Sequence, residues 1–321
     1  MGKVAYFVDL QPDLEDFLSA VVKGFSSSRK SLPPKFFYDA YGSQVFDRIC
    51  ATPEYYVTRT EIGLMKDIGA EIGALAGPQN VVVEYGCGSS LKIHALLEAL
   101  IDPAEYLAID ISKQHLINTV EEIVADYPDL RVGAICADFS ASFDWPPEAD
   151  QSGSRRLAYF PGSTIGNQMP AEAAQFLISV RRLIGEGGSL LIGVDLKKDI
   201  GVLNRAYNDA AGHTADFNLN LLRRINNELG ASIDLSSFEH RAYFNAEKSR
   251  IEMHLESNID QTVDIDGRTF SFKSGETIHT ENSYKYSLAE FSELAEKCGF
   301  KPRKAWTDAD DFFSIHYLDA R

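Results

Sequence analysis

From about residue 60 the chain alternates between two apolar rhythms, runs with a helical period and short solid blocks rich in β-branched residues. Helical patterning over Glu61–Leu75 leads into the strand Val81–Glu84. A helix from about Ser90 to Leu100 precedes the strand Tyr106–Ile109, and a helix through Gln114–Tyr127 precedes Val132–Cys136. The strand Leu157–Phe160, a helix over Ala171–Ile184 and the strand Ser189–Val194 complete the series. Solid apolar strands separated by helices imply an α/β fold with a parallel, doubly wound sheet. Ligands bind outside the carboxyl ends of such strands. Here those ends carry Glu84, Asp110, Asp138, the loop Pro161–Asn167 and Asp195.

The pattern changes twice. Near the end a helix at Leu288–Lys297 is followed by Pro302–Trp306, a turn at Asp308–Asp311 and Phe312–Leu318, which predicts a C-terminal β-hairpin. A helix and a hairpin close the methyltransferase (Rossmann-like) version of the doubly wound sheet, where a dinucleotide dehydrogenase continues with parallel strands. Between Asp195 and Ser287 the alternation stops. Helices around Asp199–Gly212 and Phe217–Leu229 precede strands His240–Asn245, Arg250–Ser257, Gln261–Ile265 and Thr269–Lys273, with turns at Asn245–Lys248 and Asp266–Gly267. This reads as an inserted α+β lobe, joined by the aromatic-rich first sixty residues around Phe36–Tyr41 and Tyr55–Tyr56. The expected division is residues 61–196 with 287–321 as one domain, and 1–60 with 197–286 as a second, substrate-binding domain.

Composition narrows the partners. A net charge of −16 with no basic cluster makes the chain a poor match for phosphate backbones, so no nucleic acid is expected. No apolar run is long enough to span a bilayer, and MGKVAYFVDLQPDLEDF lacks the basic segment and apolar core of a secretory signal. Gly2 follows Met1, but Tyr6 stands where myristoylation wants Ser or Thr. A cytoplasmic monomer acting on a small molecule, away from any membrane, is expected. Cys50, Cys87, Cys136 and Cys298 are scattered, and the seven histidines form no HExxH-type pair. Local spacing therefore assembles neither a disulfide framework nor a metal site.

The stretch Val81–Ser90, VVVEYGCGSS, carries the first chemistry. A buried strand enters a turn with Gly86 and Gly88, and the next strand stops at Asp110. That combination makes a nucleotide-binding βαβ unit, with Asp110 placed for ribose hydroxyls. Leu91 stands where a dinucleotide fingerprint has its third glycine, which tilts the cofactor from NAD to S-adenosylmethionine. Cys87 within the turn reads as a small filler rather than a reactive thiolate.

Six further motifs carry a resemblance that covers nearly the whole chain: SLPPKFFYDAYGSQVFD (Ser31–Asp47), PEYYVTRTE (Pro53–Glu61), GSTIGN (Gly162–Asn167), RAYNDAAGHTADFN (Arg205–Asn218), RIEMHL (Arg250–Leu255) and TENSYKY (Thr280–Tyr286). On these the sequence resembles the histidine-specific, S-adenosylmethionine-dependent methyltransferases of ergothioneine biosynthesis, which trimethylate the α-amino group of L-histidine to hercynine. The resemblance implies that Gly86, Gly88, Lys92 and Gly162 line the cofactor site and that Asp110 holds its ribose. It implies adenine contacts from Asp138 and Phe139. Tyr55, Asn167 and Tyr207 would surround the backbone of the substrate amino acid. Tyr38 would lie near the imidazole, Glu281 and Ser283 would hydrogen-bond it, and Met253 would pack beside it. The sequence departs from that pattern at Cys87, where relatives often have serine, and around the Glu281/Ser283 pair at Asn282 and Tyr284.

Each residue also has a plainer reading: Glu281 as a solvated carboxylate on an isolated strand, Met253 as core, Tyr207 as helix-face packing, Asn167 as a turn or cap, Asp138 as a loop residue. Occurring together inside extended motifs, they favour function. Methyl transfer from a sulfonium to a neutral amine needs alignment and exclusion of water more than acid–base help, so no general base is assigned. The competing functions are an N-methyltransferase of a related amino acid such as tryptophan, a protein methyltransferase, and a non-catalytic cofactor-binding regulator.

Overall fold

The computed structural model describes residues 3–10, 17–87, 90–139, 144–149 and 155–321. The chain divides into two compact units: Met1–Leu14, Val57–Lys197 and Tyr286–Arg321 in one, Glu15–Tyr56 and Lys198–Lys285 in the other. The first holds strands β1 (Tyr6–Asp9), β2 (Val81–Tyr85), β3 (Glu105–Asp110), β4 (Arg131–Cys136), β5 (Arg156–Phe160) and β6 (Ser189–Asp195). The second holds β7 (Phe238–Asn245), β8 (Arg250–Ser257), β9 (Gln261–Ile265), β10 (Arg268–Phe272) and β11 (Thr277–Tyr284). The chain returns to the first unit with β12 (Phe300–Thr307) and β13 (Phe313–Ala320).

In the first unit the strands form one eight-stranded sheet in the order β1-β4-β3-β2-β5-β6-β13-β12. The first six are parallel, and β13 runs antiparallel between β6 and β12. This is the doubly wound sheet with a closing hairpin. Every residue of β2 is buried, as its unbroken apolar run requires. The chain reverses direction across the sheet between β2 and β5, so the crevice for a ligand opens at their carboxyl ends. Helices α3 (Tyr56–Ala76), α4 (Leu91–Ala99), α5 (Lys113–Asp126), α6 (Pro170–Ile184) and α9 (Leu288–Lys297) belong with this sheet.

Two boundaries differ from the sequence reading. Residues 1–60 were expected in the second unit, yet β1 pairs with β4, and Tyr6 closes over Gly133 while its hydroxyl donates to Glu105. A four-residue strand is too short to announce itself by periodicity. Helix α3 begins at Tyr56 rather than Glu61, and the boundary between the units falls at its first turn.

The second unit combines α1 (Phe17–Ser26), α2 (Ala40–Ala51), α7 (Ile200–Ala206) and α8 (His213–Leu229) with a three-stranded antiparallel sheet, β11-β8-β7, and a β9–β10 ribbon. Its core includes Phe217, Leu221, Leu222 and Ile225 of α8. The helix expected over Asp199–Gly212 stops at Ala206. Asp209 then accepts from the backbone N–H of His213 (2.8 Å) and Thr214 (2.7 Å), and so starts α8 four residues earlier than its apolar rhythm suggested. Glu281 is not on an isolated strand: β11 pairs along its length with β8.

Candidate active site

The first unit gathers most of the groups expected around a cofactor at its strand ends. Gly86 has a left-handed backbone (φ 76°), and a Cβ there would meet the Phe139 ring at 3.5 Å. Phe139 is held edge-on by Tyr85, Phe160 and Phe176, which fixes a flat apolar face beside the bare turn. Asp138 precedes it in the loop after β4 and is half-buried. Gly88 lies outside the described residues. Asp110 ends β3, and its carboxylate accepts from the Ser112 N–H (2.7 Å). Burial raises the Asp110 pKa while that N–H opposes the rise. Cys87 is buried and its thiol is pushed well above its usual range by burial, then by the Asp110 and Glu84 charges, so it is no thiolate. Glu84 is pushed up to about 8 by burial and takes a hydrogen bond from the Tyr106 hydroxyl at 2.6 Å, a core arrangement rather than an exposed strand tip.

The GSTIGN loop is bound to the same end of the sheet. Gly162 (φ 77°) turns so that a Cβ would stand 2.8 Å from Lys92 Nζ. Glu61, buried in α3, accepts from the Gly162 N–H at 2.9 Å and pairs with Lys92 at 2.8 Å, thereby fixing both. Ser163 adopts φ 56°, and its hydroxyl accepts from the Asp195 N–H at 2.9 Å, fastening the loop to the end of β6. Asn167 completes the 3₁₀ turn Thr164–Asn167 and keeps partial exposure. Glu61 was missed as a functional group; its place as the last residue of PEYYVTRTE was the only hint.

In the second unit the expected substrate residues converge. Tyr38 stands edge-on to Phe46 and Phe217, Phe46 is edge-on to Tyr55, and Tyr55 is edge-on to Tyr207 with ring centroids 6.2 Å apart. Phe46 and Phe217, which the sequence reading did not single out, are the spacers of this aromatic wall. The Tyr55 phenol is raised well above its ordinary pKa by burial, then by Tyr207, so it stays a protonated donor.

The polar end depends on one irregularity. His279 pairs with His254, but Glu281 pairs with Met253, so Thr280 is an extra residue in β11. Strand side chains alternate, and without this bulge Glu281 and Ser283 would share the face of His279. With it they share the face of Met253 and Ile251. The bulge is pinned by α8: the Thr280 hydroxyl donates to Asn218 Oδ1 (2.7 Å), and Asn218 Nδ2 donates to the His254 carbonyl (2.9 Å) and to His240 Nδ1 (2.8 Å). His240 Nε2–H then donates to the Tyr207 carbonyl at 2.9 Å, a tautomer fixed by the Asn218 bond. RAYNDAAGHTADFN thus ends, and TENSYKY begins, on two residues that bond each other. On that face the Tyr207 hydroxyl donates to Ser283 Oγ (2.8 Å), and buried Lys285 donates to Ser283 Oγ (2.8 Å) and Tyr207 Oη (3.2 Å). Burial lifts Glu281 to about 7 against the opposing charge of Lys285.

Local spacing predicted no metal site, yet folding brings Glu252, His254 and His279 together on the opposite face. Arg250 already occupies that carboxylate at 2.5 Å, with Lys248 at 3.4 Å, so two cations stand where a metal would need its charge.

A family model described as histidine-specific methyltransferase, SAM-dependent, matches residues 17–320. The chain belongs to this family. Among its relatives, histidine N-alpha-methyltransferase of Mycolicibacterium smegmatis is 43% identical over 296 residues, 90% of each chain. That of Mycobacterium tuberculosis is 39% identical over 298 residues, 91% of each. Ergothioneine biosynthesis protein 1 of Neurospora crassa is 28% identical over 296 residues, 90% of this chain and 33% of the relative. Among the described residues of this histidine-specific methyltransferase, no helix is long and apolar enough to cross a membrane.

Proposed function

We infer that this methyltransferase acts on L-histidine, transferring methyl groups from S-adenosylmethionine to the α-amino nitrogen until the trimethylated product, hercynine, is formed. Membership in a histidine-specific family supports the acceptor, and so do the names of two relatives covered over nine-tenths of their length. The Neurospora relative's name supports a place in ergothioneine biosynthesis. The observation that carries the site is the β11 bulge, which sets Glu281 and Ser283 on the face of Met253.

The strand-end groups suit the cofactor. Bare backbone at Gly86 and Gly162 faces Phe139 and Lys92, and a carboxylate stands at the tip of β3. In this reading Gly86, Gly88, Lys92 and Gly162 cradle the cofactor, Asp110 accepts from its ribose hydroxyls, and Asp138 and Phe139 hold the adenine. S-adenosylmethionine supplies the electrophilic methyl group.

The chain's own work is placement. Tyr55, Asn167 and Tyr207 orient the substrate carboxylate and amine as neutral donors, leaving no formal protein charge on the methyl path. No general base is assigned. Tyr38 and Met253 flank the ring, Glu281 accepts one imidazole N–H, and Ser283 serves the other nitrogen. An apolar side chain would leave both polar groups unsatisfied, which discriminates by ~10⁴ where such groups are buried. The acidic balance, 47 Asp and Glu against 31 Lys and Arg, supports a small acceptor over nucleic acid. A cytoplasmic monomer completes the reading.

Release of S-adenosylhomocysteine with histidine or tryptophan as acceptor tests it. Turnover on histidine at least a hundredfold above tryptophan is expected; turnover on tryptophan alone would refute the assigned specificity.

A further inference from the structure

We propose that Lys285 is a specificity-determining positioning residue that turns the hydroxyls of Tyr207 and Ser283 into donors, so that the site accepts a neutral imidazole with its bare nitrogen toward Ser283 and its N–H toward Glu281. The proposal rests on the functional reading above. An ammonium has three donors and no acceptor. From its buried position Lys285 reaches Ser283 Oγ at 2.8 Å and Tyr207 Oη at 3.2 Å, and so occupies one lone pair on each oxygen. The Tyr207 hydroxyl fills Ser283's second lone pair at 2.8 Å. What Ser283 retains is its proton, which suits the unprotonated imidazole nitrogen and not an N–H.

The same cation acts on Glu281, two strand positions beyond Ser283 on the same face, where its charge favours the carboxylate against burial. Donor at one nitrogen and acceptor at the other is the complement of neutral imidazole. It mismatches imidazolium, which carries N–H on both sides, and indole, which has no bare ring nitrogen. Lys285 also reaches over the Tyr207 ring, 5.1 Å from its centroid, so a single group ties the carboxylate-facing phenol to the imidazole-facing hydroxyl.

Calorimetric titration of histidine into the chain saturated with S-adenosylhomocysteine tests this, using the wild type, Lys285→Met, Ser283→Ala and the double variant. Lys285→Met should weaken histidine binding at least tenfold and leave S-adenosylhomocysteine binding within about twofold. The loss in the double variant should fall well short of the product of the two single losses, because much of the lysine's effect passes through that hydroxyl. In turnover, the histidine KM should rise while kcat changes less than about threefold. Lys285→Gln, which keeps donors without the charge, should recover part of the affinity. Unchanged histidine binding in Lys285→Met overturns the proposal, as do losses that multiply in the double variant. Parallel loss of histidine and S-adenosylhomocysteine binding in both Lys285 variants also overturns it, since a scaffold residue gives that result. Failure of the wild type to bind histidine would sink the functional reading itself, a result seen before any variant is compared.

Discussion

At the scale of single residues, Glu281 is the group whose chemistry is most exposed to test. Burial lifts it to about 7, so near neutral pH it is partly protonated in the empty site. The carboxylate is the stronger acceptor for an imidazole N–H, so histidine binding should favour it and expel proton. Calorimetry at pH 7 in buffers of different ionisation enthalpy should show wild type releasing more proton on binding histidine than Glu281→Gln does. Equal release would remove Glu281 from the imidazole contact. Below pH 7 the protonated carboxyl becomes a donor facing a donor, so affinity should fall with acid more steeply in the wild type than in the variant. These residues were legible in the sequence only through TENSYKY as a whole. Taken singly, Glu281 reads as a solvated carboxylate, because nothing in one strand reports burial by a partner strand. Phe46, Phe217 and Glu61 escaped for a related reason: apolar spacers and buried ion-pair partners show no local pattern of their own.

At the scale of elements, the bulge in β11 decides which face the specificity groups occupy. An extra residue reverses the alternation, and the reversal cannot be read from one strand because register is a property of the pair. The predicted strands β7 to β10 were legible from their alternation and turns. β11 was legible only as an isolated strand around Glu281, since its bulge breaks the period of two and hides its pairing with β8. Thr280→Val keeps the shape and removes the donor to Asn218, leaving a buried amide oxygen short of a partner at a cost of about 1–3 kcal/mol. Chemical denaturation should register that loss, and histidine binding should weaken about tenfold while S-adenosylhomocysteine binding holds. Normal histidine affinity in a destabilised Thr280→Val would show that the bulge does not need its clamp. The GSTIGN loop gives the complementary case. Gly162→Ala puts a Cβ on left-handed backbone 2.8 Å from Lys92 Nζ, so S-adenosylhomocysteine binding should weaken about tenfold, measured by the same titration. Unchanged affinity would take Gly162 out of the cofactor site.

At the scale of the molecule, the α/β alternation announced the sheet, its order of closure and the strand ends that carry Gly86, Asp110 and Asp138, because parallel strands are buried on both faces and show as solid apolar runs. The second unit was legible mainly as a break in that rhythm. Its boundaries were misjudged in the first sixty residues, where β1 joins the sheet and α3 begins at Tyr56. The division also separates the chemistry: the cofactor candidates belong to the first unit, while Tyr38, Tyr55, Tyr207, Met253, Glu281 and Ser283 belong to the second. Asn167 is the expected substrate residue that lies on the sheet unit. The central claim is that these groups serve trimethylation of histidine. Mass spectrometry of L-histidine incubated with the purified chain and excess S-adenosylmethionine tests it most directly. The account predicts Nα-trimethylhistidine, with three S-adenosylhomocysteine released per product. Unmodified histidine, or methylation confined to the imidazole ring, would contradict it.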